Sequence, residues 1–299
     1  MIYTCTTNPS LDYYITFENQ LKHNASNRSL MEMYEAGGKG VNISIVLNNF
    51  QIPSVCLGFL GGFTKDFYLT FISNYPNIQP LFTTIKDNTR INVKVMDAEN
   101  ETSLNAKGPH ITSEEFEKFK KRTNSIYTGD YFVLSGMVQD EIDKDIVSLI
   151  HELAKDDVKI VLDTDKNIID NCMDIKPYLI KINDNYIPNS TTDEVIKVGK
   201  EMINNGAQNV LFSAAKKDSI LLTGDKIYKC ANIENNLVNT TGSSDSMVAG
   251  FLYSVLRGSN SLEAFKYANA ASVATSLTND PDSKRMIEER YINIEVSEI

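Results

Sequence analysis

The sequence has no run approaching the roughly 18 consecutive apolar residues of a membrane-spanning helix, so no membrane partner of that kind is expected. Its four cysteines, Cys5, Cys56, Cys172 and Cys230, stand far apart and show no paired spacing. That argues against a disulfide framework or a zinc site and reads as buried thiols in a reducing cytoplasm. Histidine is equally scarce. His23, His110 and His151 have no partner at metal-ligand spacing, so neither a histidine metal site nor a His-based triad is expected. Positive charge is short: 29 Lys and Arg against 39 Asp and Glu, for a formal net charge of −10. A surface of that sign does not suit nucleic acid. It also sets a condition, because an anionic ligand meets overall repulsion unless cations are gathered locally. The opening stretch MIYTCTTNPSLD has neither a basic n-region nor a long apolar h-region, so no secretory signal is expected. Tandem repeats, low-complexity tracts and obvious linkers are missing too.

What is present is a globular composition: 42% hydrophobic residues over 299, enough for a sizeable core in one large or two ordinary domains. The runs MIYTCT, SVCLGFLG, YFVLSG, KIVLD, YLIKIN and NVLFSA read as buried strands. Between them VNISIVLNN, KDFYLTFISN, KDIVSLIHELAKD and DEVIKVGKEMINN read as helices. Such alternation implies βαβ units and a mostly parallel sheet covered on both faces. Ligands then bind beyond the carboxyl ends of the strands, where Thr6, Gly136, Asp163, Asn183 and Ser213 fall. One region breaks the rhythm. From Thr89 to Gly108, alternation at Ile91, Val93 and Val95 followed by a turn near Ala98-Glu99-Asn100 predicts a hairpin outside the main sheet. The segment from about Tyr13 to Glu35 also lacks a helical stripe and can pair with that hairpin, forming a small β-lid.

Two glycine-bearing motifs each precede an apolar helix. In NTTGSSDSMVAGFL (Asn239 to Leu252), Met247, Val248, Phe251, Leu252, Val255 and Leu256 recur at helical intervals and predict a buried stripe. The polar residues before them lie at a helix N-terminus, where unpaired N–H groups favour an anion. Asp245 there has two readings. It caps the helix and suits its dipole, or it takes a proton from a hydroxyl attacking a phosphoryl group. Alone, capping has the stronger claim. In EAGGKGVNISIVL (Glu35 to Leu47), Gly37, Gly38 and Gly40 allow close backbone approach and Lys39 supplies a point charge. It is not a Walker A loop, because GxxxxGK[ST] is absent.

The set TTNPSLD, AGGKGVNIS, TRINVK and TGSSDSMVAGF, in this order, resembles the PfkB (ribokinase-like) carbohydrate kinases. Within them it is most similar to the 1-phosphofructokinase and tagatose-6-phosphate kinase branch. The resemblance covers nearly the whole chain. It implies an α/β ribokinase-like fold over 1–299, with a lid from about 13–35 and 89–108. It implies a cytoplasmic kinase moving the γ-phosphate of ATP, with Mg²⁺, to a hydroxyl of a ketohexose phosphate of the fructose 1-phosphate or tagatose 6-phosphate type. Asp245 would be the general base, and Thr241, Gly242, Ser243 and Ser244 the anion hole. Asp12, Gly37, Gly38 and Asn42 would hold the sugar, and Arg28, Lys39 and Arg90 its phosphate. Lys181, Asn183, Ser213 and Asn269 would surround the nucleotide, although a helix-surface role for Asn269 fits equally well. No residue is assigned as a direct metal ligand. A homodimer through the lid edge is a further expectation.

Three stretches depart from the family pattern. GSSD replaces GAGD, which adds a Cβ near the phosphate and limits positive φ; KINDNY replaces KPNxxE, putting Tyr186 where a glutamate stands; and SAAKKD replaces SxGxxG. For Tyr186, Asp184 is the candidate replacement. All three changes lie on the nucleotide side. The alternatives are therefore a catalytically weak sugar-phosphate sensor, or a kinase for a neutral sugar or nucleoside.

Overall fold

A computed structural model describes residues 1–213, 217–232, 242–277 and 284–299. The chain begins with β1 (Ile2–Thr6), β2 (Ser10–Thr16), β3 (Met31–Gly37), α1 (Lys39–Asn49), β4 (Ser54–Gly61) and α2 (Gly62–Ile72). It continues through β5 (Ile78–Pro80), β6 (Thr83–Ile85), β7 (Arg90–Met96), β8 (Glu101–Leu104), α3 (Ser113–Thr123) and β9 (Tyr131–Gly136). Next come α4 (Asp143–Lys155), β10 (Lys159–Thr164), α5 (Lys166–Asn171), β11 (Leu179–Ile182), α6 (Thr192–Asn204) and β12 (Asn209–Phe212). The described residues end with β13 (Ser219–Thr223), β14 (Lys226–Cys230), α7 (Ser243–Leu256), α8 (Ser261–Ser276), α9 (Lys284–Tyr291) and β15 (Val296–Glu298).

The main sheet runs β15-β14-β13-β12-β11-β10-β9-β1-β4-β5, with β6 also paired to β4. From β12 to β5 every pairing is parallel, as the strand–helix alternation predicts. β13, β14 and β15 extend one edge in antiparallel order. Side chains alternate between two apolar layers because a strand's faces exchange at every residue. On β9, Phe132 and Leu134 join the core beneath α3, α4 and α6, whereas Tyr131 and Val133 join the one shared with α1, α7 and α8. The four cysteines are buried free thiols within the core. Among the described residues no helix is long and apolar enough to cross a membrane.

The two segments expected to form a lid do pair. A second sheet has the order β3-β2-β7-β8. β2 runs parallel to β7, with Ser10 opposite Arg90 and Asp12 opposite Asn92, and antiparallel to β3, with Asp12 opposite Glu35. The lid thus starts at Ser10, earlier than the sequence pattern shows. Its hairpin turn is fixed by Asp97, whose Oδ1 accepts from the N–H groups of Glu99 and Asn100.

One helix differs from expectation. α7 is buried all round from Asp245 to Ser254, not along a stripe, because α1 and α8 both pack against it. Leu256, expected in the stripe, is 42% exposed at the helix end, beyond that packing.

Candidate active site

The carboxyl ends of β1, β9, β10, β11 and β12 open toward the N-termini of α1 and α7. Gly38 precedes α1 with φ 138° and Gly242 precedes α7 with φ 79°. At Gly242 the left-handed backbone is what demands glycine, since an L side chain there costs about 1–2 kcal/mol. Ser243 and Ser244 lie inside the first turn of α7. The positive φ is therefore confined to Gly242, and the serines replace alanine and glycine without backbone strain. Thr241, the first residue of the expected anion hole, lies outside the described residues, as do residues 214–216 of SAAKKD.

The two glycine turns converge. Asn42 on α1 donates from Nδ2 to Asp245 Oδ2 at 2.8 Å, joining the Lys39 loop to α7. Asp245 is 4% exposed. Burial pushes its carboxyl up to about 6; Lys39, Lys181 and the Asn42 bond work against that rise, and the Asp163 charge adds to it. A base that titrates near 6 is ionised at neutral pH and still binds a proton appreciably.

Lys39 and Lys181 reach the same cavity from different elements and meet at Asp163, the buried carboxylate at the end of β10. Lys39 Nζ lies 3.3 Å and Lys181 Nζ 3.2 Å from Asp163 Oδ1. Burial acts against the Lys39 charge, but Asp163 and Asp245 outweigh it and hold the ammonium above its usual value. Lys181 also donates to Ser244 Oγ at the first turn of α7, and Ser213 Oγ lies 3.5 Å from the same hydroxyl. The adjoining cavity, about 270 Å³, is lined by Lys39, Gly136, Asp163, Asp165, Lys166, Lys181 and Asn183, among others.

On the lid side, Asp12 is held from both flanks. Its Oδ1 accepts from Ser10 Oγ at 2.7 Å and Asn92 Nδ2 at 2.9 Å. A Cβ on Gly37 would stand 2.5 Å from Asp12 Oδ2, so the glycine keeps that oxygen clear. Ser10 and Asn92 escaped the sequence reading, although each lies two residues from a recognised neighbour on a strand and therefore shares its face. Asp163 was read only as a polar strand end.

Three residues have less direct placements. Arg90 spends its guanidinium on backbone, with Nη1 on Ala106 O at 3.1 Å and Nη2 on Asn8 O at 3.0 Å, tying the lid's root to the loop after β1. Arg28 is exposed between β2 and β3, and none of the contacts that assemble the cleft involves it. Asn269 is buried on α8, accepting from Ser219 Oγ and donating to Phe265 O at 2.8 Å, so the helix-surface alternative does not hold.

On the nucleotide side, Asn183 accepts from Asn185 N–H at 2.9 Å and shapes the loop after β11. Tyr186 donates to Asp170 at 2.7 Å and lies under Lys166, 4.1 Å from the ring centroid. Asp184 is paired with Lys217 at 2.6 Å, which ties it to the loop before β13. For Mg²⁺ the test is the oxygen donors on the cavity wall. Asp165 is an exposed carboxylate there, with Asp163 and Asn183 nearby. Among the described residues no group of three or more acidic, His or Cys side chains can hold a metal alone. The wall fits a hydrated Mg²⁺ that arrives with phosphates, which is how this ion commonly binds.

Comparison with known proteins finds relatives along nearly the whole chain. Residues 9–283 match the model of the pfkB family carbohydrate kinases. The chain is 35% identical over 298 residues to the 1-phosphofructokinase of Borreliella burgdorferi, covering 96% of each. It is 28% identical over 307 residues to the D-tagatose-1-phosphate kinase of Bacillus licheniformis, covering 100% of each. Phosphofructokinase-2 from Escherichia coli, in a crystal structure with substrates and products, superposes with a TM-score of 0.90 over 98% of this chain and 99% of that one. At 20% identity that last likeness bears on the fold alone.

Proposed function

Because the chain belongs to the pfkB family of carbohydrate kinases, we propose that it transfers the γ-phosphoryl group of ATP to a hydroxyl of a ketohexose phosphate. The relatives named 1-phosphofructokinase and D-tagatose-1-phosphate kinase support that substrate class. The single observation that carries the reading is the bond from Asn42 to Asp245, which brings the Lys39 loop and the N-terminus of α7 to one carboxylate.

The mechanism follows from those positions. Asp12, fixed by Ser10 and Asn92, accepts hydrogen bonds from sugar hydroxyls beside the clear backbone of Gly37 and Gly38. Lys39 attracts the sugar's phosphate and Arg28 contributes charge from the lid, while Arg90 holds the lid root against the core. The acceptor hydroxyl gives its proton to Asp245 as it attacks phosphorus. N–H groups of Gly242, Ser243 and Ser244 face the charge on the transferred group, a contribution often worth about 3–4 kcal/mol per donor. Lys181, Asn183 and Ser213 border the nucleotide phosphates, and Asn269 holds the floor beneath them through Ser219. Asp165 and Asn183 would hold the hydration shell of Mg²⁺. The ion itself would neutralise phosphate charge. Lid closure excludes water, the competing acceptor.

The same reading makes the chain one kinase domain in the cytoplasm, paired as a dimer through its lid. Tyr34, Tyr13, Val93 and Leu104 form a cross-strand row on the lid face opposite Asp12, with Tyr34 40% and Leu104 56% exposed. The decisive assay is ADP release with fructose 1-phosphate and with tagatose 1- and 6-phosphates. Turnover with one of them that is lost in Asp245→Asn is expected. Absence of turnover with every phosphorylated ketohexose would overturn the reading.

A further inference from the structure

We propose that Asp163 is a positioning residue, a buried carboxylate shared by two lysines that fixes their ammonium groups beside Asp245. The inference rests on the kinase reading for its role in turnover, but its geometry stands apart from it.

Lys39 comes from the glycine loop on the sugar side, at the start of α1, and Lys181 from β11 on the nucleotide side. They are 142 residues apart in sequence (181 − 39), yet both ammonium groups lie within 3.3 Å of Asp163 Oδ1. The Lys181 side chain is 0% exposed and that of Asp163 4%. A buried lysine keeps its charge only beside a counter-charge, and a single carboxylate oxygen serving two ammonium groups fixes both. The Lys39 side chain is 37% exposed and faces the cavity, whereas Lys181 is held between Asp163 and Ser244 Oγ. Asp163 is therefore the common anchor of a half-exposed and a buried cation.

The groups facing Asp245 are Lys39 and Asn42 from α1, Asp163 from β10 and Lys181 from β11. Asp165 adds a further charge next to Lys39. In this set the carboxylate and the lysines act on Asp245 with opposite signs. Removing Asp163 deletes a like charge and leaves two unmatched cations, which favours ionised Asp245. Removing either lysine does the reverse. A carboxylate that acted on Asp245 only through its own charge would move that titration but leave the cost of removing Lys39 undiminished, so the double variant decides whether Asp163 holds the lysines.

The test follows the Asp245 carboxyl by carbon NMR in protein labelled at aspartate, with the signal assigned through Asp245→Asn. The parent midpoint is expected near 6. Asp163→Asn should lower it by about a unit, and Lys39→Met and Lys181→Met should each raise it. Asp163→Asn strands a buried ammonium group; should it not fold, the two lysine variants decide, since each leaves Asp163 one partner. Midpoints that stay at the parent value in the folded variants overturn the proposal. In turnover assays, Asp163→Asn should reduce kcat at least tenfold, and adding Lys39→Met should cost less than a further threefold. Losses that multiply independently would also overturn it. A parent that shows the expected titrations but turns over no sugar phosphate would sink the kinase reading and leave the lysine anchor standing.

Discussion

Asp245 brings its charge into a site where 4% of the residue is exposed, and the lysines and Asn42 offset only part of the cost of burial. Activity should consequently fall on the acid side, with a limb near pH 6 in a kcat/KM profile, as protonated Asp245 can no longer accept the hydroxyl proton. Asp245→Asn should reduce kcat at least about a hundredfold. The same substitution should stabilise the fold. The folded carboxyl titrates near 6 and the unfolded one near 3.8, so the folded state binds more protons between these values and stability falls as pH rises through that window. Asn at 245 escapes that loss. Its stability advantage should be absent below about pH 4 and plateau above about pH 6, on the order of 3 kcal/mol, read by urea unfolding at several pH values.

At the scale of elements, the site depends on two backbone positions as well as on its side chains. Gly242→Ala places a Cβ in left-handed backbone and should cost about 1–2 kcal/mol in denaturant unfolding. Gly37→Ala meets Asp12 Oδ2 at 2.5 Å, so Asp12 must turn away. Its KM for the sugar phosphate should rise at least tenfold while KM for ATP changes little. The parallel core and the lid hairpin were legible because their strands carry unbroken or alternating apolar patterns, and both glycine motifs stood directly before helical runs. The antiparallel edge from β13 to β15 was not. β14 reads KIYKC and β15 VSE, too short and too polar to stand out until paired. Asp163 was equally hidden, since one Asp at a strand end says nothing about which lysines the fold will bring to it. The limit on positive φ anticipated at Ser244 does not apply, because Ser244 lies in helical backbone. Asp184, considered as a stand-in for the missing glutamate, is committed to Lys217.

For the whole molecule, a net charge of −10 is offset only locally, by three lysines set against Asp163 and Asp165 on one wall. Lys39, Lys166 and Lys181 all border one cavity. The apolar row on the outer lid face leads to a separate expectation. Leu104→Asp with Tyr34→Asp should shift sedimentation from dimer to monomer, and a monomeric parent would rule out the lid contact. The lid has another property, set by its topology. β2 and β7 pair in register from Ser10–Arg90 to Thr16–Met96, joining strands 80 residues apart (90 − 10). Parallel pairing over such a separation is slow, because the ends must be brought together before any contact rewards them. A chain emerging during synthesis would therefore close its lid sheet only after Met96 is available, and would complete the cleft only when Asp245 on α7 has followed.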